Sequence, residues 1–177
     1  MLQDSSVELL TLVDFPDCPE VIEDGETFHA NAEKKALEVA HATGCSALAD
    51  DSGLVVDALD GAPGIYSARY AGPEATDRDN LEKVLDKLAD LPAEQRAARF
   101  QCVISLATPA GDVESFVGSV EGRIAERPDG NNGFGYDPVF VPEGYDKTFA
   151  QMSAQEKDAM SHRGRALAAF HQGWSSS

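Results

Sequence analysis

Two segments of this sequence repeat apolar residues at the spacing of an α-helix. The first follows Thr27, a good helix-capping residue, and ends before Gly44. The second follows residue 76 or 77 and ends at Pro92. We therefore predict two amphipathic helices, each burying one side. Their apolar faces comprise Phe28, Ala32, Ala36, Val39 and Ala40 in the first helix, and Leu81, Val84, Leu85, Leu88 and Leu91 in the second.

Strands are indicated by short apolar runs and by strict alternation. Residues 97–108 and 113–120 alternate on either side of a Pro-Ala-Gly-Asp turn, a pattern typical of an antiparallel hairpin. The mixture of strands and helices predicts a mixed α/β fold. The predicted strands are residues 7–13, 45–49, 97–108, 113–120 and, more briefly, 122–125. A capping box at Ser153 and a cap at Ser161 predict two further helices near the C-terminus.

Composition places the sequence among globular proteins. Its 177 residues are 42% hydrophobic, so we expect residues 1–177 to form a single domain with its own core. The formal net charge of -17 argues against a nucleic-acid partner, because nucleic-acid-binding proteins carry a basic surface. A small anionic ligand remains compatible with this charge, since a divalent ion and a few placed cations can reverse the local field.

Targeting and redox features favour the cytoplasm. No apolar run approaches the ~18 residues that cross a bilayer, and no basic region followed by an apolar stretch marks a signal peptide. The three cysteines, Cys18, Cys45 and Cys102, lack metal-ligand spacing, and we expect reduced thiols. We therefore predict a cytoplasmic protein without a membrane partner.

Two adjacent carboxylates follow the apolar run at 45–49. Asp50 and Asp51 precede Ser52 and Gly53, and paired acids at the end of a strand can hold a divalent cation and orient a water molecule. The same four residues also suit an Asx-type turn, in which Asp caps the backbone and Gly takes a positive φ. Taken alone they favour the turn; the rest of the sequence favours the metal site.

Phe134 and Lys35 each allow two interpretations. Phe134 lies between two glycines, where an aromatic ring can stack on a flat ligand or pack within its own loop. Lys35 follows Asn31 by four residues in the first predicted helix, and most such lysines are solvated surface charges.

A basic cluster near the C-terminus is a better candidate for ligand contact. His162 and Arg163 follow the Ser161 cap on the first turn of a predicted helix, where backbone donors favour an anion or a carbonyl group. Lys157 precedes them by a few residues. A single histidine is more often structural, but this combination favours a binding role.

Taken together, these segments resemble the inosine triphosphate pyrophosphatase family, which hydrolyses non-canonical purine nucleoside triphosphates. The matching segments are Ala-Asp-Asp-Ser-Gly-Leu at 49–54, Gly-Ala-Pro-Gly-Ile-Tyr-Ser-Ala-Arg-Tyr at 61–70, Gly-Phe-Gly-Tyr-Asp-Pro at 133–138 and Ser-His-Arg-Gly at 161–164. They occur in the family's order and spacing, and the resemblance covers roughly residues 20–170.

The resemblance implies a fold and a reaction. The expected fold is a long twisted central sheet flanked by helices, with a cleft between two lobes. The expected reaction is Mg²⁺-dependent hydrolysis of ITP, dITP and XTP between the α- and β-phosphates, which yields a monophosphate and pyrophosphate. A homodimer is expected from the resemblance alone.

The resemblance also implies a role for each site residue. Asp51 would be the catalytic proton acceptor and a metal ligand, with Glu23 as the second metal ligand. Lys35 would reach the phosphates and Ser52 would contact the substrate. The ring of Phe134 would stack on the purine, while three donors would read its 6-oxo edge, so that a 6-amino group would place donor against donor. The base contacts implied are Phe134, Gly135, Tyr136, Asp137, Lys157, His162 and Arg163.

The sequence departs from the family pattern at its N-terminus. The family opens with a strand and a Thr-Gly-Asn-x-x-Lys phosphate loop, whereas residues 1–4 here would align near the end of the following helix. Either the start lies too far downstream or this is a shortened member.

Two alternatives to the active enzyme follow. The first is a truncated purine-nucleotide-binding protein of the same fold with impaired hydrolysis. The second is a related pyrophosphatase acting on other nucleotides, which the segments at 133–138 and 161–164 argue against. The joint presence of Asp51, Glu23 and Lys35 favours the enzyme.

Overall fold

A four-stranded antiparallel sheet forms the centre of the described residues. The computed structural model describes residues 7–174, so the predicted alignment of residues 1–4 lies outside the described residues. The strands follow one another across the sheet in chain order. They are β1 (Ala47–Val56), β2 (Ala97–Ala107), β3 (Val113–Ile124) and β4 (Phe140–Pro142). The predicted mixed α/β class and the predicted hairpin, which is β2 and β3, are confirmed.

In the described part of the chain four α-helices surround the sheet, and their predicted caps are confirmed. Thr27 Oγ accepts a hydrogen bond from the amide of Ala30 at 3.0 Å, and Gly44 ends the first helix in the left-handed region. Thr76 and Ser153 each form a capping box. The helices are α1 (Phe28–Thr43), α2 (Asp77–Lys87), α3 (Ala154–Met160) and α4 (His162–Trp174). Among residues 7–174, none of the helices is long and apolar enough to cross a membrane.

Helices cover both faces of the sheet. Helix α1 lies on one face, where Phe28 and Ala32 pack against Val55 and Val103. On the opposite face α4 packs through Ala166 against the middle of β2. Helix α2 packs through Leu81 and Val84 into the largest apolar cluster. That cluster includes Leu54, Val56, Leu81, Val84, Leu88, Phe100, Phe140 and Phe149. The residues of β1 therefore alternate between an α1 side and an α4 side.

The strand predicted at residues 7–13 is wrong. Residues 7–11 have no regular structure, Leu12–Asp14 is a 3₁₀ helix, and Leu9 and Val13 are 77% and 87% exposed. Apolar alternation specifies a strand only where a partner strand completes the hydrogen bonds, and among the described residues none lies beside this segment. The run at 122–125 belongs to β3 for residues 122–124 and is not a separate strand.

Candidate active site

The two adjacent acids lie within a continuous strand and face opposite sides of the sheet. Strand β1 pairs with β2 through Asp50, Asp51, Ser52 and Gly53, so the predicted strand-end turn is wrong. Because side chains alternate along a strand, Asp51 points toward α1, whereas Asp50 and Ser52 point toward α4. This short segment thus supplies polar groups to both faces of the sheet, one covered by α1 and the other by α4.

On the α1 side, Asp51 is the centre of a polar cluster. The residue is 8% exposed, and its carboxylate accepts a hydrogen bond from Asn31 Nδ2 at 3.1 Å. Lys35 Nζ lies 3.4 Å from Asp51 Oδ1 and 2.7 Å from Glu23 Oε1. Arg69 Nη1 approaches the other Glu23 oxygen at 3.9 Å. Three of the residues predicted for the phosphate end, Glu23, Lys35 and Asp51, are therefore brought together.

Burial sets the protonation behaviour of Asp51. Desolvation raises the pKa of this carboxyl above its ordinary value, although the hydrogen bond from Asn31 and the charge of Lys35 act in the opposite direction. A carboxylate with a raised pKa is a better proton acceptor than an exposed aspartate, provided that it is still ionised. The environment therefore suits Asp51 to general-base chemistry.

Asn31 is a site residue that the sequence interpretation missed. Its side chain is 1% exposed, and its Oδ1 accepts a hydrogen bond from the amide of Gly25 at 2.8 Å while its Nδ2 donates to Asp51. It therefore connects the turn that carries Glu23 to Asp51. The available signal was the position of Asn31 one helical turn before Lys35, inside an otherwise apolar stripe.

On the α4 side, a cavity of about 540 Å³ opens beside Ser52 and Gly53. This is the size of a pocket for a small organic ligand. Strand β1, the loop at 133–137 and the start of α4 supply most of its wall. Its lining includes Ser52, Ser67, Asp77, Asn80, Phe100, Phe134, Gly135, Tyr136, Asp137, Lys157, His162 and Arg163. All seven residues predicted to contact the base lie on this cavity.

The loop that carries Phe134 is held by carboxylates on both sides. Asp137, 2% exposed, accepts a hydrogen bond from the amide of Phe134 at 2.9 Å and forms an ion pair with Lys157. Asp77 accepts from the amide of Gly135 at 2.7 Å. The ring of Phe134 is 65% exposed, and Lys157 Nζ lies 4.7 Å from its centroid. Phe134 therefore presents an open aromatic face rather than a packed one.

Tyr136 closes the far side of the cavity. Its ring is buried, and its hydroxyl donates to the backbone carbonyl of Ser67 at 2.8 Å. Ser67 in turn accepts from the amide of Leu54 at 2.9 Å. This segment comes so close to β1 that a Cβ on Gly53 would lie 2.4 Å from Ser67 Oγ. Gly53 is thus required by a close approach, not by a turn.

His162 is held neutral beside the cavity. Its ring stacks on Phe100 with centroids 4.8 Å apart and planes 12° apart, and it is 7% exposed. Burial, reinforced by the charges of Arg163 and Lys157, lowers the pKa of His162 to about 4. Its Nδ1 is buried and makes no hydrogen bond within the described residues. A buried polar atom without a hydrogen-bond partner is rare in native structures.

Arg163 is anchored at the cavity rim. Its Nη2 donates to Asp50 Oδ2 at 2.9 Å and to Ser52 Oγ at 3.1 Å. These contacts join the first turn of α4 to β1. Asp77 and Ser67 were not among the predicted site residues. Asp50 was predicted only as the partner of Asp51 in the acid pair, because nothing in its sequence neighbourhood reveals which face of β1 it occupies.

The donor set fits a divalent metal that is shared with a ligand. Within residues 7–174 no group of three or more His, Cys, Asp or Glu residues is arranged to hold a metal ion. Glu23 and Asp51 nevertheless converge on a single cation, the ammonium of Lys35. Mg²⁺ is commonly bound by one or two carboxylates with substrate phosphates completing its shell. Glu23 and Asp51 satisfy the protein part of that requirement.

An aromatic cavity next to a paired-carboxylate cluster defines a small-molecule site, and comparisons identify the family. The Ham1 family model matches residues 1–173. A dITP/XTP pyrophosphatase of Geobacter sulfurreducens is 54% identical over 168 residues, covering 94% of this chain and 84% of that protein. A relative of the same name from Syntrophobacter fumaroxidans is 56% identical over 166 residues, covering 94% of this chain and 71% of that protein. The chain belongs to the Ham1 family.

Solved structures agree with this assignment. A HAM1 protein from Coxiella burnetii superimposes with a TM-score of 0.93 and 42% identity, covering 99% of this chain and 90% of that one. A nucleoside-triphosphatase from Mycobacterium abscessus, described as a dITP/XTP pyrophosphatase, gives a TM-score of 0.83 and 48% identity. The match covers 95% of this chain and 86% of that one. The likeness to the inosine triphosphate pyrophosphatase family expected from the sequence is confirmed.

Proposed function

We propose that this chain hydrolyses non-canonical purine nucleoside triphosphates, namely ITP, dITP and XTP, to the monophosphate and pyrophosphate. The observation that carries the proposal is the pairing of an aromatic cavity with the Glu23–Lys35–Asp51 cluster across one strand. Its relatives at about half identity bear the name dITP/XTP pyrophosphatase. No observation favours the alternative of a binding protein with impaired hydrolysis.

The cavity suits a purine that carries a 6-oxo group. Phe134 offers an exposed ring for stacking, and Lys157 and Arg163 offer cationic donors at the cavity wall. His162 is neutral, so it donates from one ring nitrogen only, and which one depends on its tautomer. A 6-oxo group accepts such donors, whereas a 6-amino group leaves them unpaired, which costs affinity.

The phosphates would run across the edge of the sheet. Strand β1 is one of the two edge strands of the described sheet, and Ser52 on the cavity side is adjacent in sequence to Asp51 on the α1 side. Lys35, shared between Glu23 and Asp51, supplies positive charge to the phosphate oxygens. Asp51 accepts the proton of the attacking water while Asn31 holds the other carboxylate oxygen.

We also propose that the reaction requires Mg²⁺. Glu23 and Asp51 would hold the ion, and when bound it would neutralise charge on the phosphate oxygens and so favour attack by water.

We further propose a cytoplasmic homodimer that acts on free nucleotides and does not bind nucleic acid. The dimer rests on family resemblance. The remaining features rest on the strongly acidic composition and on the absence of disulfides among the described cysteines.

The products formed in ¹⁸O-labelled water test the proposal. Purified protein is incubated with ITP and Mg²⁺, and the products are separated and analysed by mass spectrometry. IMP and pyrophosphate are expected, in equal amounts, with the label in one of the two. IDP and orthophosphate would place the cleavage at the wrong bond and contradict the proposal. A protein that binds ITP without any turnover would restore the binding-protein alternative.

A further inference from the structure

Asp50, the acid adjacent to the proposed catalytic residue, contacts an arginine of the cavity instead of the Glu23–Lys35–Asp51 cluster. Its Oδ2 accepts from Arg163 Nη2 at 2.9 Å and from Arg163 Nε at 3.3 Å. The hydroxyl of Ser52 lies 3.5 Å from the same oxygen. Within the described residues Asp50 forms no hydrogen bond or ion pair with the Glu23–Lys35–Asp51 cluster on the other side of β1.

The contact fixes the orientation of the guanidinium. Two nitrogens of Arg163 converge on one carboxylate oxygen, and Nη2 has a second partner in Ser52. In the described part of the chain Nη1 makes no hydrogen bond, so it is the donor left for a ligand. Ordering a long arginine side chain costs conformational entropy, and a contact that orders it before binding raises affinity for the ligand it meets.

We propose that Asp50 is a positioning residue for base selectivity: it holds Arg163 at the rim of the cavity so that Nη1 donates to a 6-oxo purine. The inference rests on the proposed function. Asp50 is not part of the cavity wall, whereas Arg163 is, so Asp50 acts through the arginine. The acid pair is therefore divided between two tasks, with Asp51 serving hydrolysis and Asp50 serving recognition of the base.

The exposure of the pair separates this role from a structural one. The side chains of Arg163 and Asp50 are 43% and 38% exposed, and ion pairs at such positions contribute little to stability. Loss of Asp50 should therefore leave the melting temperature nearly unchanged while changing selectivity. Loss of a structural residue would lower the melting temperature and leave selectivity unchanged.

The test compares Asp50→Asn with a matched control, Asp57→Asn. Asp57 directly follows β1 and also pairs with an arginine, Arg99, at 2.8 Å, but neither residue lies on the cavity wall. Affinities for IMP and AMP are measured by calorimetry, so that no turnover is needed. Asp50→Asn should bind IMP about tenfold more weakly, as for loss of one charge-assisted hydrogen bond, with AMP affinity and melting temperature unchanged. Asp57→Asn should change none of these.

A double-mutant cycle tests the route through Arg163. If Asp50 acts by orienting Arg163, Asp50→Asn should add no further loss of IMP affinity to Arg163→Ala. Additive losses would overturn the inference. Equal losses for IMP and AMP, or a marked fall in melting temperature, would overturn it as well. If Asp50→Asn does not fold, Arg163→Lys tests the same contact, because it keeps the charge but loses the planar fork of donors.

The outcomes distinguish this inference from the proposed function. A wild-type chain that binds IMP, paired with an Asp50→Asn variant of unchanged IMP affinity, refutes the inference alone. A wild-type chain that binds neither IMP nor ITP refutes the proposed function and the inference with it. Loss of turnover on every substrate at unchanged IMP affinity would place Asp50 in the hydrolytic machinery instead.

Discussion

Replacing Asn31 with alanine should weaken both the fold and the reaction. The substitution removes a hydrogen bond of 3.1 Å to the Asp51 carboxylate and one of 2.8 Å from the Gly25 amide, both made by a side chain that is 1% exposed. A bond to a charged group contributes about 1.5–3 kcal/mol and a neutral one about 0.5–1.5 kcal/mol. The free energy of unfolding should therefore fall by about 2–4 kcal/mol.

This loss is large enough to measure by thermal unfolding. For a chain of this size, each kcal/mol lowers the melting temperature by about 2–4 °C, so a decrease of roughly 5–15 °C is expected. Turnover of ITP should also fall by about tenfold or more, because Asp51 keeps only the 3.4 Å contact with Lys35 and its carboxylate is free to rotate. The KM should change less than kcat, since the cavity is untouched.

A second substitution disturbs the same contact from the opposite side. In Gly25→Ala the new Cβ would lie 2.7 Å from Asn31 Oδ1 and so displace the amide. It should lower the melting temperature and kcat in the same direction as Asn31→Ala. If Asn31→Ala kept both the wild-type melting temperature and the wild-type kcat, the hydrogen bonds of Asn31 would contribute to neither stability nor catalysis, and the account of Asp51 positioning would be refuted.

Four further predictions follow from the site. Asp51→Asn should lose more than nine-tenths of turnover, yet its melting temperature should match or exceed that of the wild type. Burial raises the pKa of Asp51, so the ionised carboxylate weakens the wild-type fold, and the difference in melting temperature should grow as pH rises through the folded pKa. The wild type should lose roughly 3 kcal/mol of stability as pH falls from about 6.5 to 4, since the pKa of His162 is lowered to about 4 in the fold; His162→Gln should flatten this decline in thermal unfolding. Phe134→Ala should weaken IMP binding in calorimetry by about 1–3 kcal/mol without lowering the melting temperature, because its ring is 65% exposed. Removal of divalent ions with EDTA should stop pyrophosphate release, and added Mg²⁺ should restore it; activity that persists in EDTA would remove the metal from the proposal.

Local features of the sequence predicted most of the regular structure. The caps at Thr27 and Thr76, the apolar stripe of α1 and the alternation in β2 are properties of neighbouring residues, and each was confirmed. Helix α2 ends at Lys87 and not at Pro92, so Leu88 and Leu91 pack against the core from beyond its end. The prediction of a strand at residues 7–13 was wrong because the apolar pattern cannot reveal whether a partner strand is present.

The site was predicted less completely because its geometry depends on packing between distant segments. Gly53 suggested a turn, but it is required by the approach of Ser67, fourteen residues away in sequence. The two faces of β1 could not be assigned before α1 and α4 were placed, so Asp50 and Asp51 were taken to act together. Asn31 was visible only as a polar residue in an apolar stripe.

Substrate selectivity gives the most direct test of the central claim. The rate of pyrophosphate release is measured for ITP, XTP and ATP on one preparation, at substrate concentrations below KM, with Asp51→Asn as the matched inactive control. The account predicts that ITP and XTP release pyrophosphate at least tenfold faster than ATP, and that Asp51→Asn releases almost none. Equal rates with ATP, or an active Asp51→Asn, would contradict it.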